Sequence, residues 1–177
     1  MAIVKHIKSR NANYSDALNY LIFQHDESTG KMILDEFDRP LRRDELYVDG
    51  LNCNPDTFDV ECYECNEHFK KNRSRSEIKS HHYIISYDPA DAIECDLTGE
   101  KAQALSLDLA QKIFPGYQAL IVTHTGGHNG SGNIHTHIVI NSVRKEAVRR
   151  QRYMDKPHEE IAGYKHRSTN KFLNYFK

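Results

Sequence analysis

The chain has 177 residues, of which 38% are hydrophobic and 28% charged, and its formal net charge at pH 7 is -1. This length suits one domain with a sizeable core, and no apolar run in the sequence approaches the ~20 residues of a membrane helix. Lys5, Lys8 and Arg10 interrupt the opening residues, which excludes the apolar core of a signal peptide. We therefore expect a cytoplasmic protein without membrane contact.

The first part of the chain predicts one strand and one short helix. AIVKHIK alternates weakly, as a strand does. SDALNYLIF has helical spacing, with Ser15 or Asp16 as the N-cap. Residues 25–55 are polar, acidic and interrupted by glycine and proline, so that only KMIL and ELYV are predicted there, as small strands.

The pair Cys62 and Cys65 has a C-x-x-C spacing, which also occurs in zinc and redox sites. Together with Phe58 and Phe69, however, the two cysteines recur at steps of four, three and four residues, the apolar stripe of an amphipathic helix. No second C-x-x-C follows in the sequence. We therefore predict a buried helix face in this segment.

The second half carries the strongest strand signals. SHHYIISY, YQALIVTH and NIHTHIVINSV predict three strands, and LTGEKAQALSLDLAQKIF predicts a helix that ends at Pro-Gly. The short polar loop between the last two strands favours antiparallel pairing. We predict an α+β fold with one central, mostly antiparallel sheet and helices packed on it. TNKFLNYFK predicts a helix that runs into the chain end, so residues 1–177 are expected to be the N-terminal domain of a longer protein.

Charge is distributed unevenly along the chain. Residues 24–62 contain eleven acidic and four basic residues, whereas residues 141–177 contain ten basic and four acidic ones. The basic stretch 70–79 and the tail from Arg144 onward suit contacts with a DNA backbone. A solvated charged surface explains the same pattern equally well.

The stretch HTGGHNGSGNIHTHIVIN holds four of the eleven histidines. In a strand His135 and His137 share a face, about 6 to 7 Å apart, and in an antiparallel hairpin His124 returns beside them. Three neutral imidazoles leave coordination positions open, which is typical of a catalytic metal site. His128 is an alternative third ligand.

A nucleophile is also available near the amino end. A hydrolytic zinc enzyme would need a carboxylate base near the ligands, and residues 117–145 contain none. Tyr14 and Tyr20 flank the first helix, and a phenol facing a metal-polarised phosphodiester can attack it. From composition alone, Tyr14 and Tyr20 are two of the ten tyrosines in the chain, and the simpler expectation is that both are merely half-buried.

These residues resemble a known family. HTGGHNGSGNIHTHIVINSV resembles the third motif of relaxases, the conjugative DNA-nicking enzymes of the HUH endonuclease class, in which a His precedes H-x-H and an Asn follows. The matching residues are His124, His135, His137 and Asn141. Many members have Asp where this chain has Gly126, and the loop before H-x-H is longer here.

Two further blocks are similar to MobP-type relaxases of Gram-positive conjugative or mobilisable elements. SDALNYLIFQHD resembles their first motif, which makes Tyr20 the nucleophile, with Tyr14 as the alternative. YVDGLNCNPDTF and SHHYIISYDP resemble a block of Gly, Asn and Cys followed by a strand with His and Ser. The matching residues are Gly50, Asn52, Cys53, His82 and Ser86.

The resemblance implies that residues 1–177 are a relaxase (nicking) domain. Such a domain binds the origin of transfer, single-stranded near the nick and with an inverted-repeat hairpin beside it, and Tyr20 attacks one strand to form a 5′-phosphotyrosyl link. The family implies Mg²⁺ or Mn²⁺, although three imidazoles suit Mn²⁺, Zn²⁺ or Ni²⁺ better. Relaxosome accessory proteins and a coupling protein are the implied partners.

Two rival functions stay open from sequence. A rolling-circle replication initiator or a single-tyrosine transposase would place the nucleophile after H-x-H, at Tyr153, Tyr164 or Tyr175. A metal-stabilised DNA-binding module without catalysis is the second rival.

Overall fold

The computed structural model describes residues 3–26, 28–126 and 133–176. Within these ranges the elements are, in chain order, β1 (Ile3–Ser9), α1 (Tyr14–Ile22), β2 (Leu46–Leu51), α2 (Phe58–His68), β3 (Ser80–Ser86), α3 (Pro89–Glu94), α4 (Gly99–Ile113), β4 (Tyr117–His124), β5 (His135–Arg144) and α5 (Asn170–Phe176). In these ranges no helix combines the length and the apolar character needed to cross a membrane.

The described strands form one five-stranded sheet in the order β1-β3-β5-β4-β2. Every neighbouring pair is antiparallel, which confirms the predicted α+β class. β5 lies at the centre, and Ile138 and Ile140 on one of its faces are completely buried. The alternation along this strand places His135 and His137 on the opposite face.

Helices cover both faces of the sheet and create two hydrophobic cores. On the face of Ile138, the sheet packs against aromatic side chains such as Phe114 after α4 and Phe172 of α5. On the histidine face, Leu21 of α1 and Phe58 of α2 pack against Val139. Because burial of each such side chain stabilises the fold by roughly 1.5–3 kcal/mol, α1 is held firmly over the histidine face.

The first helix begins earlier than predicted. Its N-cap is Asn13 and not Ser15 or Asp16, because the Asn13 side chain accepts a hydrogen bond from the Ser15 main-chain N–H at 3.1 Å. Asp16 instead lies in the first turn, where the helix dipole favours a carboxylate.

Between α1 and β2, the described residues 23–26 and 28–45 form an excursion from the sheet that is held by isolated antiparallel bridges. These join Phe23 with Arg42, His25 with Met32, and Leu34 with Pro40. The predicted strand KMIL is thus reduced to isolated bridges, whereas most of ELYV belongs to β2. The excursion returns to the end of α1, where the main-chain N–H of Arg43 donates to the carbonyl of Ile22 at 3.0 Å.

The Gly-Asn-Cys block forms the turn from β2 to α2. A Cβ on Gly50 would lie 2.2 Å from the carbonyl oxygen of Cys53, so this position requires glycine. The side chains of Asn52 and Cys53 donate to main-chain carbonyls at the start of β4, at 2.8 and 3.4 Å. In α2, Cys62 and Cys65 are buried free thiols, which confirms the predicted helix face.

Three further histidines lie among the aromatic side chains on the other face of the sheet. Nδ1 of His81 lies 3.0 Å from Nε2 of His6, and the hydroxyl of Tyr83 lies 2.8 Å from Nε2 of His166. Burial lowers the pKa of His81 to about 3 and that of His6 to about 4, and it also lowers the pKa of His166. These imidazoles are therefore neutral in the folded protein.

We expect the unfolding free energy of the metal-free protein to fall as the pH drops from 6.5 toward 4, because only the unfolded chain takes up protons on these rings in that range. The variant His81→Leu should gain stability relative to the parent by up to about 1.4 kcal/mol per pH unit there. Chemical denaturation across this range measures the effect. The control is His68→Asn, a change at an exposed histidine outside the buried aromatic cluster; equal slopes for both variants would contradict the prediction.

Candidate metal centre

Three histidines meet at the adjoining ends of β4 and β5, on the sheet face covered by α1. His124 and His135 are register partners, and His137 follows on the same face. Their ring centroids are 5.0 to 5.1 Å apart, and one nitrogen of each lies within 4.8 Å of the other two. The structure therefore brings together the three predicted ligands; the alternative, His128, lies outside the described residues.

Two of the rings are oriented by main-chain carbonyls. Nε2 of His124 lies 2.8 Å from the carbonyl oxygen of Leu21, and Nδ1 of His135 lies 3.0 Å from that of Asn133. Because a carbonyl only accepts hydrogen bonds, these two nitrogens carry the ring protons. The lone pairs then lie on His124 Nδ1 and His135 Nε2, which are 3.3 Å apart.

The third ring is oriented by another histidine. Nδ1 of His137 lies 2.8 Å from Nε2 of His82, on the neighbouring strand β3. Nε2 of His137 is buried and has no hydrogen-bond partner among the described residues. Burial, followed by neighbouring basic groups, lowers the pKa of His137 far below its usual range, and burial lowers that of His82 to about 4. Both rings are therefore neutral, the form in which imidazole binds metals.

This arrangement fits a divalent metal ion. Nε2 of His137 has no hydrogen-bond partner among the described residues, and binding to a metal ion would satisfy it. Contacts such as the one between His82 and His137 hold metal-binding histidines in position. The cluster in the described part of the chain contains three histidines and no carboxylate. Such a neutral donor set leaves coordination positions open and favours Mn²⁺, Zn²⁺ or Ni²⁺ over Mg²⁺.

Replacing His82 by alanine is expected to weaken Mn²⁺ binding by about 10–100-fold, because His137 loses the contact that orients its ring. Titration calorimetry with MnCl₂ measures this affinity. His81→Leu is the matched control, since the adjacent residue of β3 faces the other side of the sheet. Equal Mn²⁺ affinities for the two variants would show that His82 does not orient the site.

A groove of about 550 Å³ runs beside this cluster, between α1 and the strands β1, β3 and β5. His135 and His137 line it from the sheet, and Tyr20 lines it from the helix. The side chain of Tyr20 is 46% exposed, and its ring centroid lies 5.6 Å from that of His25. A solvent-accessible phenol and two of the three metal-ligand candidates thus share one groove.

The other candidate phenol is enclosed. The hydroxyl of Tyr14 lies 3.1 Å from Oδ1 of Asn141 and 2.9 Å from the main-chain carbonyl just before β3, and it accepts from Asn66 at 2.8 Å. Burial raises the pKa of Tyr14 above its usual range, the opposite of activation. Asn141 therefore belongs to this buried network, and Ser86 lies opposite His135 in the register of β3 and β5.

The basic segments are only partly available to a ligand. Arg144 is 2% exposed, and its guanidinium lies 4.2 Å over the ring of Tyr117. Lys79 is also buried, with Nζ 2.6 Å from the carbonyl of Ser74. The predicted DNA contacts are therefore wrong for Arg144 and Lys79, whose side chains stabilise the fold, whereas Arg75 in the same basic loop is exposed.

Two features of the site were not predicted from sequence. One is the main-chain carbonyl of Leu21, which orients His124. The other is Arg43, whose Nη2 lies 3.5 Å from the carbonyl of Tyr20. Neither feature belongs to a periodic pattern in the sequence. The one signal for Arg43 was that it forms a pair with Arg42 within an acidic stretch.

Comparison with known proteins gives a consistent result. Residues 33–166 match the family described as "Relaxase: MobA/VirD2-like, nuclease domain". Two curated proteins of Staphylococcus aureus named "Protein rlx" are 32% and 35% identical to this chain over 101 residues, which is 55% of the chain and 27% of each relative. The chain thus spans about a quarter of the length of these relatives. The family match includes all three clustered histidines and begins after Tyr20.

Proposed function

Because the chain belongs to the relaxase family, with a MobA/VirD2-like nuclease domain, we propose that it nicks one DNA strand at the origin of transfer of a mobile element by transesterification to Tyr20. The observation that carries this proposal is the groove shared by Tyr20, His135 and His137. It combines an accessible nucleophile with a candidate metal centre, the two requirements of this reaction class.

In the proposed step, the phenolic oxygen of Tyr20 forms a bond to phosphorus and the bond from phosphorus to the 3′ oxygen breaks. The phosphate remains on Tyr20 as a 5′-phosphotyrosyl diester, and the departing 3′ oxygen takes up a proton. The phenolic proton passes to solvent or to His25, whose Nδ1 lies 3.0 Å from the carbonyl of Phe23, so that Nε2 is left to accept. Since no water is consumed, the reverse reaction can rejoin the strand.

His124, His135 and His137 would hold a divalent ion, for which the family implies Mg²⁺ or Mn²⁺ and three imidazoles suit Mn²⁺ better. When bound, the ion would act as a Lewis acid that polarises the phosphate oxygens. The chain itself fixes the three rings before DNA binds, through Leu21, Asn133 and His82. This preorganisation lowers the reorganisation needed when charge develops on the phosphate.

We propose that single-stranded DNA lies along the groove. The groove reaches from His135 to Ser9 and Ser80, the ends of β1 and β3 that adjoin the basic loop 70–79. We expect the exposed Arg75 of that loop to contact the DNA backbone, with a hairpin beside the nick lying beyond it. Relaxosome accessory proteins and a coupling protein are the further partners proposed for the whole protein.

Two of the three tyrosines after H-x-H, Tyr153 and Tyr175, lie away from the histidine cluster. Tyr153 is buried in the core on the other face of the sheet, and its hydroxyl donates to the carbonyl of Ile113 at 2.8 Å. The ring of Tyr175 packs against Tyr153 at 5.2 Å. This geometry favours a relaxase over a replication initiator or a transposase with a downstream nucleophile.

The test is covalent capture. The full chain is incubated with MnCl₂ and single-stranded oligonucleotides that tile both strands of the non-coding DNA around its gene, and the products are separated on a denaturing gel. We expect one oligonucleotide to give a protein–DNA adduct that carries the 3′ label, with release of the 5′-labelled fragment as a free 3′-hydroxyl product. Absence of an adduct across the whole tiling, with or without Mn²⁺, would overturn the proposed function.

A further inference from the structure

Three successive main-chain carbonyls at the end of α1 contact groups of the site. The carbonyl of Tyr20 lies 3.5 Å from Nη2 of Arg43. The next one, of Leu21, contacts His124, and the one after it, of Ile22, accepts from the Arg43 main-chain N–H at 3.0 Å. Arg43 is therefore fixed beside both the proposed nucleophile and the first histidine of the cluster.

The guanidinium of Arg43 is poorly satisfied by the protein. Its Nε is buried and has no hydrogen-bond partner among the described residues, and the contact to Tyr20 is at the long limit for a hydrogen bond. By contrast, Arg39, Arg73 and Arg150 each form an ion pair with a carboxylate at 3.0 Å or less. A buried, unpaired donor on a charged group costs free energy, and an anion bound by the other nitrogens of the guanidinium would offset that cost.

Arg43 and the groove approach Tyr20 from different sides. The groove is lined by β1, β3 and β5, whereas Arg43 precedes the opposite edge strand β2, whose first residue Leu46 pairs with His124. The guanidinium of Arg43 therefore does not obstruct the groove in which the DNA is proposed to lie.

We propose that Arg43 binds a non-bridging oxygen of the scissile phosphate and holds it against Tyr20. This inference rests on the proposed function and adds a residue to its phosphate-binding site. A guanidinium presents two parallel donors that match a phosphate, and it stays charged throughout the reaction. Arg43 is held by its main-chain hydrogen bond to Ile22, two residues after Tyr20. A phosphate bound to its guanidinium would thereby be kept at a defined distance from the phenol, and such positioning of the reacting groups raises the rate.

The first test uses the oligonucleotide that the parent chain captures. Single-turnover adduct formation at saturating DNA should slow by about 100-fold in Arg43→Gln and by less in Arg43→Lys. The matched control Arg42→Gln, a change at the exposed neighbouring arginine, should leave the rate unchanged.

A second measurement separates phosphate binding from a structural role. In metal-free buffer, where the divalent ion makes no contact with the phosphate, the parent should bind an oligonucleotide with a neutral methylphosphonate at the scissile position more weakly than the ordinary one, whereas Arg43→Gln should bind both equally. Retention of the parental discrimination by Arg43→Gln would overturn the inference.

A third measurement does not depend on the origin sequence. The ¹⁵N-labelled, metal-free chain is titrated with phenyl phosphate, and the Arg43 Nε–H resonance, identified by its loss in Arg43→Lys, is followed by NMR. We expect a saturable shift. If the parent captures no oligonucleotide but this resonance shifts, the proposed function fails and the anion site stands; if capture succeeds and the resonance does not move, the role of Arg43 fails.

Discussion

Replacing Tyr20 by phenylalanine is expected to abolish covalent capture of DNA while the protein remains folded and still binds the oligonucleotide. Removal of the attacking oxygen should lower the rate by a factor on the order of 10⁴ or more. The ring of Tyr20 is 46% exposed, and phenylalanine retains its packing against His25, so the unfolding free energy should change by no more than about 0.5 kcal/mol. A denaturing gel with 3′-labelled DNA and a thermal melt measure the two quantities.

Tyr14→Phe is the matched control and should give the opposite pattern. The buried hydroxyl of Tyr14 accepts from the side-chain amide of Asn66, and its loss leaves that buried donor without its acceptor, at a cost of about 1–3 kcal/mol of unfolding free energy. Adduct formation should persist in the folded protein. The reverse result, an adduct with Tyr20→Phe and none with Tyr14→Phe, would transfer the nucleophile to Tyr14.

Much of the sheet could be predicted because its inner strands carry local signals. β4 is nearly continuous in apolar residues, and in β5 the isoleucines and the histidines occupy alternate positions, so both strands and the face that carries the histidines follow from the sequence alone. The excursion over residues 23–45 could not be predicted, because its isolated bridges depend on contacts with the end of α1 and not on a local pattern. The N-cap of α1 was misplaced because Asn13, Ser15 and Asp16 are all good caps.

The residues of the candidate metal centre also fall into two groups, those that could be predicted from the sequence and those that could not. The positions of His135 and His137 follow from the period of a strand, and that of His124 from the short hairpin. The groups that orient the rings could not be predicted from the sequence, because they depend on the register between β3 and β5 and on how α1 packs on the sheet. His82 illustrates the difference: its motif marked it in the sequence, but its contact with His137 required the register.

Replacing His137 by alanine is expected to remove the metal centre and, with it, covalent capture. This ring supplies a buried nitrogen that no described residue satisfies, so its loss should weaken Mn²⁺ binding by more than the roughly 10–100-fold expected for an orienting partner. Calorimetry with MnCl₂ and the capture assay on the same preparations measure the two effects together.

Thermal stability provides the control for misfolding, because a ligand that binds only the folded state stabilises it by an amount that grows with the logarithm of the ligand concentration above the dissociation constant. Mn²⁺ at a hundred times its dissociation constant should add about 2.7 kcal/mol to the unfolding free energy of the parent. It should add the same to His81→Leu, since His81 lies on the other face of the sheet, and nothing to His137→Ala. If Mn²⁺ still stabilised His137→Ala to the parental extent, the ion would be bound elsewhere, and capture by that variant would mean that Tyr20 acts without the histidine cluster.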